Sequence, residues 1–221
     1  MPQYPASIFG VSLSLTFSDS ARRIVQLRCI PALPYIMLLN VNQYGDPVLR
    51  AVSAPVEHVD DELKTLVENM LETMYATEGI GLAAPQVGLN IRLVVIDIPE
   101  DEEEGTEPEM IMVNGEEKPM RSIMPLVFIN PEIEPYGKQY LFTEGCLSVR
   151  NIRANVARPE FVKARLPQLD GSVLELDCGG LLARCLQHEC DHLDGFLFVD
   201  RVSSAAKITL TKKLKKLAAM R

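Results

Sequence analysis

The sequence has no apolar stretch long enough to cross a lipid bilayer. Its longest such run, residues 91–98, is interrupted by charged residues well short of the roughly eighteen residues that a membrane-spanning helix requires. It also has no internal repeat. Because 47% of the 221 residues are hydrophobic and 24% are charged, the chain is long and apolar enough to fold around one buried core. These features predict a globular enzyme or binding domain with no membrane partner.

The cysteines lack the even number and regular spacing of a disulfide framework. The chain has five of them, at positions 29, 146, 178, 185 and 190, and it is too large to need disulfides for stability. We therefore predict a reducing compartment. The formal net charge of -8 argues against a surface that binds nucleic acid over its whole area, so we expect no DNA partner.

Charge is unevenly distributed along the chain, and this distribution suggests how the chain is divided into segments. Residues 100–117 contain nine acidic and no basic residues, whereas residues 201–221 contain seven basic and no acidic ones. Residues 1–36 are rich in Ser and Arg and poor in acids, as in an organelle transit peptide, although Met37 could equally be the true start. The predicted segments are an N-terminal extension (1–36), a main domain (37–202) with an acidic insertion at about 99–122, and a basic C-terminal helix (203–221).

Four segments have the pattern of β-strands. Residues 91–98 form a β-branched run, and residues 126–129 resume the pattern. Further on, residues 161–166 and 173–178 flank Asp170-Gly171, which predicts a hairpin. The acidic stretch between the first two strands has no periodicity, so we expect an exposed loop or an excursion from the domain there.

Helical periodicity appears in three segments. Residues 63–74 have an amphipathic stripe, with Asp60 or Asp61 available as a cap. Residues 181–193 have helical character and Gly195 as a stop signal, and the lysine-rich C-terminus forms a last amphipathic helix. Mostly antiparallel strands, with one helix at their centre and another at the end, predict an α+β fold.

The strongest chemical signal is His188-Glu-Cys-Asp-His192, an HExxH motif. Residues four apart lie on one face of a helix, so both imidazoles can reach one metal ion while Glu189 reaches a water beside it. The chain has only three histidines, and two of them fall in this pattern, which favours ligands over structural histidines. We therefore predict a hydrolytic metal site on the central helix, with His188 and His192 as ligands and Glu189 as the acid/base.

A catalytic site of this kind usually has a third protein ligand. The sequence after His192 contains no histidine and no glutamate, so the third ligand is expected upstream. Cys146 lies in Glu144-Gly-Cys-Leu-Ser148, where Gly145 permits close approach of the backbone. Spacing alone leaves two interpretations of this thiol open, a metal ligand or a small buried side chain.

Three segments together resemble a known family. Gly79-Ile-Gly-Leu-Ala-Ala-Pro-Gln86, Glu144-Gly-Cys-Leu-Ser148 and Gln187-His-Glu-Cys-Asp-His192 resemble, in order and spacing, the signature motifs of the peptide deformylases. The resemblance runs from about Tyr44 to Val202. It implies a mixed α+β fold, one divalent metal ion that is usually iron(II) in the cell, and removal of the formyl group from the N-terminal formyl-methionine of new proteins. One departure is Arg150, because many relatives have a proline near this position.

The resemblance also implies the role of each site residue. It makes Glu189 the acid/base and assigns the stabilisation of the oxyanion to the Gln86 side chain and the Leu147 backbone N–H. Gln86 has an alternative role, which is to hold its own loop by hydrogen bonds. The implied metal ligands are Cys146, His188 and His192. Apart from iron(II), this donor set also suits zinc, nickel or cobalt.

A pocket for the methionine side chain is expected to be apolar and close to the metal. Helical spacing places Leu181 and Cys185 on the same face as His188, although burial in the core is their alternative role. The backbone around Gly81 is open to pairing with an extended peptide. The predicted substrate contacts are Ile80, Gly81, Arg153, Leu181 and Cys185. Behind the site, Arg158 is expected to pair with Glu144.

The predicted partners follow from the implied activity and from the charge. The substrates are nascent formyl-Met polypeptides, and the basic C-terminal helix could contact RNA phosphates of the ribosome. We expect the bacterial cytoplasm, or a mitochondrion or plastid if residues 1–36 are a transit peptide. Two other functions stay open: a metallopeptidase of the HExxH type, which the missing downstream ligand disfavours, and a catalytically silent, ribosome-associated relative.

Overall fold

The computed structural model describes residues 37–99 and 109–219, which form two antiparallel sheets and four α-helices. The helices are α1 (Asp61–Ala76), α2 (Gly180–Leu193), α3 (Phe198–Arg201) and α4 (Ser204–Ala218). The strands are β1 (Gly81–Ala83), β2 (Leu93–Ile96), β3 (Met110–Val113), β4 (Glu116–Pro119), β5 (Leu126–Ile129), β6 (Glu132–Glu144), β7 (Ala154–Pro167) and β8 (Val173–Cys178). The predicted α+β class is confirmed. The extension at residues 1–36 lies outside the described residues, and the division into segments stays a prediction.

The smaller sheet has the strand order β1-β2-β5 and carries the first motif at its edge. β2 comes from the predicted strand at residues 91–98, and all four of its side chains are buried, which explains why its sequence is continuously apolar. β1 pairs with β2 so that Gly81 lies opposite Ile96. β1 therefore has one strand partner among the described residues and is an edge strand.

The larger sheet has the order β4-β3-β8-β7-β6. β7 and β8 form the predicted hairpin, in which Gly171 adopts a φ of 86° and the Asp170 carboxylate accepts a 2.8 Å hydrogen bond from the Ser172 backbone N–H. β6 runs antiparallel to β7 up to Glu144, which lies opposite Ala154. The long β6–β7 pair thus brings the chain to the second motif.

The prediction of an exposed loop throughout the acidic insertion is wrong for residues 110–119. These residues form the β3–β4 hairpin, which joins the larger sheet through β8. Its turn is Asn114-Gly115, with φ values of 52° and 80°, a dipeptide that suits a two-residue hairpin turn. Ile111 and Val113 alternate with exposed methionines and are buried. The nine acidic residues between positions 100 and 117 obscured the short alternating pattern and the turn signal.

Helix α2 packs against both sheets. Leu182 and Leu186 belong to one buried cluster with Val94 of the smaller sheet and Val162 of the larger sheet. The helix ends where the sequence predicts, because Gly195 follows with a φ of 78° and a Cβ there would lie 2.7 Å from the Arg50 carbonyl oxygen. Only glycine fits this position without displacing backbone.

The two other long helices pack against different clusters of the core. α1 begins at the predicted cap, where the Asp60 carboxylate accepts from the Leu63 backbone N–H at 2.8 Å. α4 inserts Leu210 and Leu214 into a cluster that includes Phe198. None of the helices in the described part of the chain is long and apolar enough to span a membrane.

Candidate metal centre

The three predicted ligands lie together in the structure. Cys146 is in the turn after β6, and His188 and His192 are one turn apart on α2. Their donor atoms all lie within 4.8 Å of one another, and Cys146 Sγ is 3.2 Å from His192 Nε2. The other cysteines that the structure describes are buried and free. Of the two interpretations of Cys146, the geometry favours the ligand.

The residues present fit a divalent cation. A thiolate and two imidazoles are donors that zinc and iron accept, and three protein donors leave one coordination position for water or substrate. The Oε2 atom of Glu189, beside this cluster, is buried without a hydrogen-bond partner among the described residues. Buried polar groups are rarely left unpaired. The donor set and the unpaired buried carboxylate oxygen therefore suit a site that binds a cation and a water molecule.

Glu144 orients the first histidine. Its Oε2 atom lies 3.0 Å from His188 Nδ1, so the other ring nitrogen of His188 is left for the metal cluster. Arg158 donates to both carboxylate oxygens, at 2.7 and 3.0 Å, as the sequence led us to expect. Burial alone would raise the pKa of Glu144, but the hydrogen bonds from His188 and Arg158 outweigh it and lower the pKa to about 2.

The protonation of the two histidines differs in the metal-free protein. Burial pulls the pKa of His188 down, but its hydrogen bonds to Cys146 and Glu144 prevail and raise the pKa to about 10. Burial and the neighbouring charge of His188 hold the pKa of His192 well below its usual value. Because a histidine binds a metal in its neutral form, a cation that enters here must displace a proton from His188.

Glu189 is the buried carboxyl group of the site. Only 3% of the residue is exposed, and burial raises its pKa to about 7. Gly81 of β1 lies directly against it, since a Cβ at Gly81 would be 2.6 Å from Glu189 Oε1 and 2.9 Å from Cys185 Sγ. A carboxyl group with such a pKa can both accept and donate a proton near neutral pH.

Gln86 serves its loop and faces the cluster at the same time. Its Oε1 atom accepts from the Ala83 backbone N–H at 2.8 Å, which directs Nε2 towards Cys146 Sγ at 3.5 Å and Ser148 Oγ at 3.3 Å. The Leu147 backbone N–H has no acceptor within residues 37–99 and 109–219. The Leu147 N–H is thus free, and the Gln86 amide directs one of its N–H groups at the Cys146 thiol.

A cavity of about 710 Å³ opens onto these residues, which is within the usual size of ligand sites. Its walls include Cys146, Leu147, His188, Glu189 and Gln86, and also every predicted substrate contact: Ile80, Gly81, Arg153, Leu181 and Cys185. The sequence analysis missed Phe142, Val149 and Ile152, which also line it. No local signal marks them, because the β6–β7 pairing and the turn after Cys146 decide where they lie.

A buried carboxyl group that lines a cavity next to a Cys/His/His cluster is typical of metal-dependent hydrolases. The family model "Polypeptide deformylase" matches residues 38–207. Peptide deformylases from Novosphingobium aromaticivorans and Stutzerimonas stutzeri are 50% and 45% identical, over 78% and 81% of this chain and 93% and 96% of the relatives. The chain therefore belongs to the polypeptide deformylase family of hydrolases.

Solved structures agree with this assignment. The peptide deformylase of Synechococcus elongatus, crystallised with actinonin, is 38% identical, with a TM-score of 0.66 over 91% of this chain and 94% of that chain. The enzyme of Ehrlichia chaffeensis is 34% identical, with a TM-score of 0.68 over 81% of this chain and 96% of that chain. Family membership does not favour the metallopeptidase or the silent relative.

Proposed function

We propose that this protein is a metal-dependent peptide deformylase that hydrolyses the N-terminal formyl-methionine group of newly made polypeptides and releases formate. The observation that supports this most directly is the position of Glu189. In a chain of this family, its buried carboxyl group lies beside the Cys/His/His cluster and lines the same cavity.

Cys146, His188 and His192 would hold one divalent cation. When bound, the cation supplies Lewis-acid polarisation and lowers the pKa of the attacking water. Iron(II) is our first choice because it is the usual metal of the family in cells, and zinc, nickel or cobalt suit the same donors.

Glu189 moves the proton in our mechanism. Its carboxylate accepts a proton from the attacking water as the new C–O bond forms at the formyl carbon. It then delivers that proton to the departing amine nitrogen as the C–N bond breaks, which leaves formate and a free N-terminus. Glu189 is suited to both steps because burial keeps its pKa close to neutral.

Gln86 and Leu147 stabilise the oxyanion that develops on the formyl oxygen. The Gln86 Nε2 group and the unpaired Leu147 N–H are the donors that the site offers. Because Gln86 Oε1 is held by the Ala83 N–H, the amide cannot rotate freely away from this position.

The substrate is proposed to add to β1 as an extended strand. β1 is an edge strand, so the backbone of Gly81 can pair with a peptide. Ile80 lines the cavity beside it, and because its carbonyl already accepts from the Asp97 N–H, it would contact the peptide with its side chain. Leu181 and Cys185, from the face of α2 that lines the cavity, would then contact the methionine side chain. Arg153, an exposed residue that also lines the cavity, would contact the peptide further from the reacting group.

The deciding experiment is formate release from a formyl-Met peptide by anaerobically prepared, iron-loaded protein. We expect turnover of the formyl peptide and none of the matching acetyl peptide. Cleavage of an internal peptide bond without formate would support the metallopeptidase instead. No reaction with either peptide would support the silent relative.

Replacing Gly81 with alanine is expected to lower kcat by about tenfold to a hundredfold. The new Cβ would lie 2.6 Å from Glu189 Oε1, so the carboxyl group must move from its position. Gly79→Ala is the comparison, because its Cβ would meet the end of the flexible Leu147 side chain at 2.9 Å, and we expect a smaller loss. Steady-state kinetics and a melting curve for each variant test this. Equal kcat in Gly81→Ala and the wild type would contradict it.

We further propose that α4 contacts the ribosome, in the bacterial cytoplasm or in an organelle if residues 1–36 act as a transit peptide. The lysines of α4 at positions 212, 213, 215 and 216 are exposed, whereas Leu210 and Leu214 are buried. A truncation would therefore uncover the core, and charge reversal is the cleaner test. Lys212→Glu with Lys213→Glu is expected to weaken binding to ribosomes about tenfold at low salt.

The matched control reverses Lys138 and Lys163, two exposed lysines of the larger sheet. Co-sedimentation with ribosomes at several salt concentrations measures the binding of both double variants. Equal loss of binding in the two double variants, or no loss in the α4 double variant, would reject a role of α4.

A further inference from the structure

Arg184 lines the cavity but its guanidinium group is committed elsewhere. It donates to Glu144 Oε1 at 2.7 Å, to the Tyr140 carbonyl at 2.8 Å and to the Val156 carbonyl at 3.2 Å. Its Cζ atom also lies 5.4 Å from the centroid of the Phe142 ring, within the range of a cation–π interaction. Only 11% of the side chain is exposed. These contacts are too many and too well buried for an ordinary surface arginine.

Arg184 and His188 converge on the same carboxylate. They are four residues apart on α2 and therefore lie on one face of it. Arg184 donates a hydrogen bond to Oε1 of Glu144, and His188 Nδ1 lies 3.0 Å from Oε2. The fork of Arg158 adds one hydrogen bond to each oxygen. Each carboxylate oxygen thus has two donors, which fixes its orientation.

This convergence links two segments that carry metal ligands. Glu144 is two residues before Cys146, whereas Arg184 is on the helix that carries His188 and His192. By holding Glu144 and two strand carbonyls at once, Arg184 fixes α2 against β6 and β7 one turn before the first histidine. Arg158 of β7 makes a separate link to α2, because its remaining contact is Asp191 at 2.8 Å, between the two histidines. Arg184 is the link on the turn before His188.

We propose that Arg184 is a positioning residue for the metal cluster, which it orders through Glu144 and His188, and that it also holds Phe142 in the wall of the cavity. The inference rests on the proposed metal site. Two effects follow from it. Loss of the guanidinium loosens the orientation of His188 and hence the retention of the metal. It also frees Phe142, which is 50% exposed, and weakens substrate binding.

The test compares Arg184→Met with Arg184→Lys and with Arg165→Met. Methionine keeps an unbranched chain in the cavity wall, lysine keeps one positive donor without the planar fork, and Arg165 is an exposed arginine of β7. Each protein is loaded with cobalt(II), and we measure the visible spectrum, the rate of metal loss to a chelator, the melting temperature, kcat and KM.

We expect Arg184→Met to lose cobalt about threefold to thirtyfold faster than the wild type, with a changed spectrum and a raised KM. Arg184→Lys should lie between the two, and Arg165→Met should match the wild type. A lower melting temperature with an unchanged spectrum and rate of metal loss would overturn the proposal, because Arg184 would then only support the fold. A wild type that bound no cobalt would overturn the proposed metal site and, with it, the positioning role of Arg184.

Discussion

The Glu189→Gln variant is expected to lose about a hundredfold to ten-thousandfold in kcat while it keeps its metal. Glu189 lies beside the cluster of candidate ligands and is not a member of it. Glutamine has nearly the same shape as glutamate, but its amide cannot accept a proton from water. The variant therefore removes the proton transfer and leaves the cavity and the cluster in place.

The measurement is formate release together with metal content and the melting temperature of the same preparation. Glu175→Gln is the matched control, because Glu175 is an exposed residue of β8, and we expect it to match the wild type. Glu189→Ala should behave like Glu189→Gln. A Glu189 variant that retained more than about a tenth of the wild-type kcat would contradict the role of Glu189 as general base.

The pH dependence adds a second readout. Burial raises the pKa of Glu189 to about 7 in the metal-free protein, and a bound cation would lower it again. Since the base must be deprotonated, kcat/KM of the wild type should fall as the pH drops through this pKa, at or below about 7. The residual activity of Glu189→Gln should lack this acidic limb.

The parts of the site that the sequence predicts are those that depend on local structure. The spacing of His188 and His192 places both rings on one helical face whatever surrounds the helix. The choice of Cys146 depends on where the chain turns after β6, so spacing alone left it open and only the resemblance singled it out. The structure then places its Sγ atom 3.2 Å from His192 Nε2.

The parts that the sequence does not predict depend on tertiary contacts. Arg184 has no motif around it, and its role follows from the approach of α2 to the end of β6, where Glu144 accepts from it at 2.7 Å. The β3–β4 hairpin was missed for a different reason. Its Asn114-Gly115 turn is a local signal. The acidic composition around this turn nevertheless led us to predict an exposed loop.

Replacing Cys146 with alanine is expected to lower the affinity for the metal by at least about a hundredfold, since loss of a hydrogen-bond partner of a ligand already costs tenfold to a hundredfold. The two remaining ligands are both on α2, and the cluster found among residues 37–99 and 109–219 contains no donor residue beyond these three. Formate release should fall in parallel. The pKa of His188 is about 10 in the metal-free wild type, so each bound cation must also displace a proton.

Cys178→Ala is the matched control for this change. Cys178 is a buried free thiol at the end of β8, so its loss should lower the melting temperature slightly and leave one bound metal per chain.

Cys146→Ser is the closest chemical variant, and it should bind the metal weakly because a hydroxyl group is a poorer donor than a thiolate for zinc and iron(II). Metal content after dialysis and competition with a chelator measure the affinities. If Cys146→Ala bound the metal with wild-type affinity, the thiol would pack beside the site without binding the cation. The third ligand would then have to be a carboxylate or a water molecule.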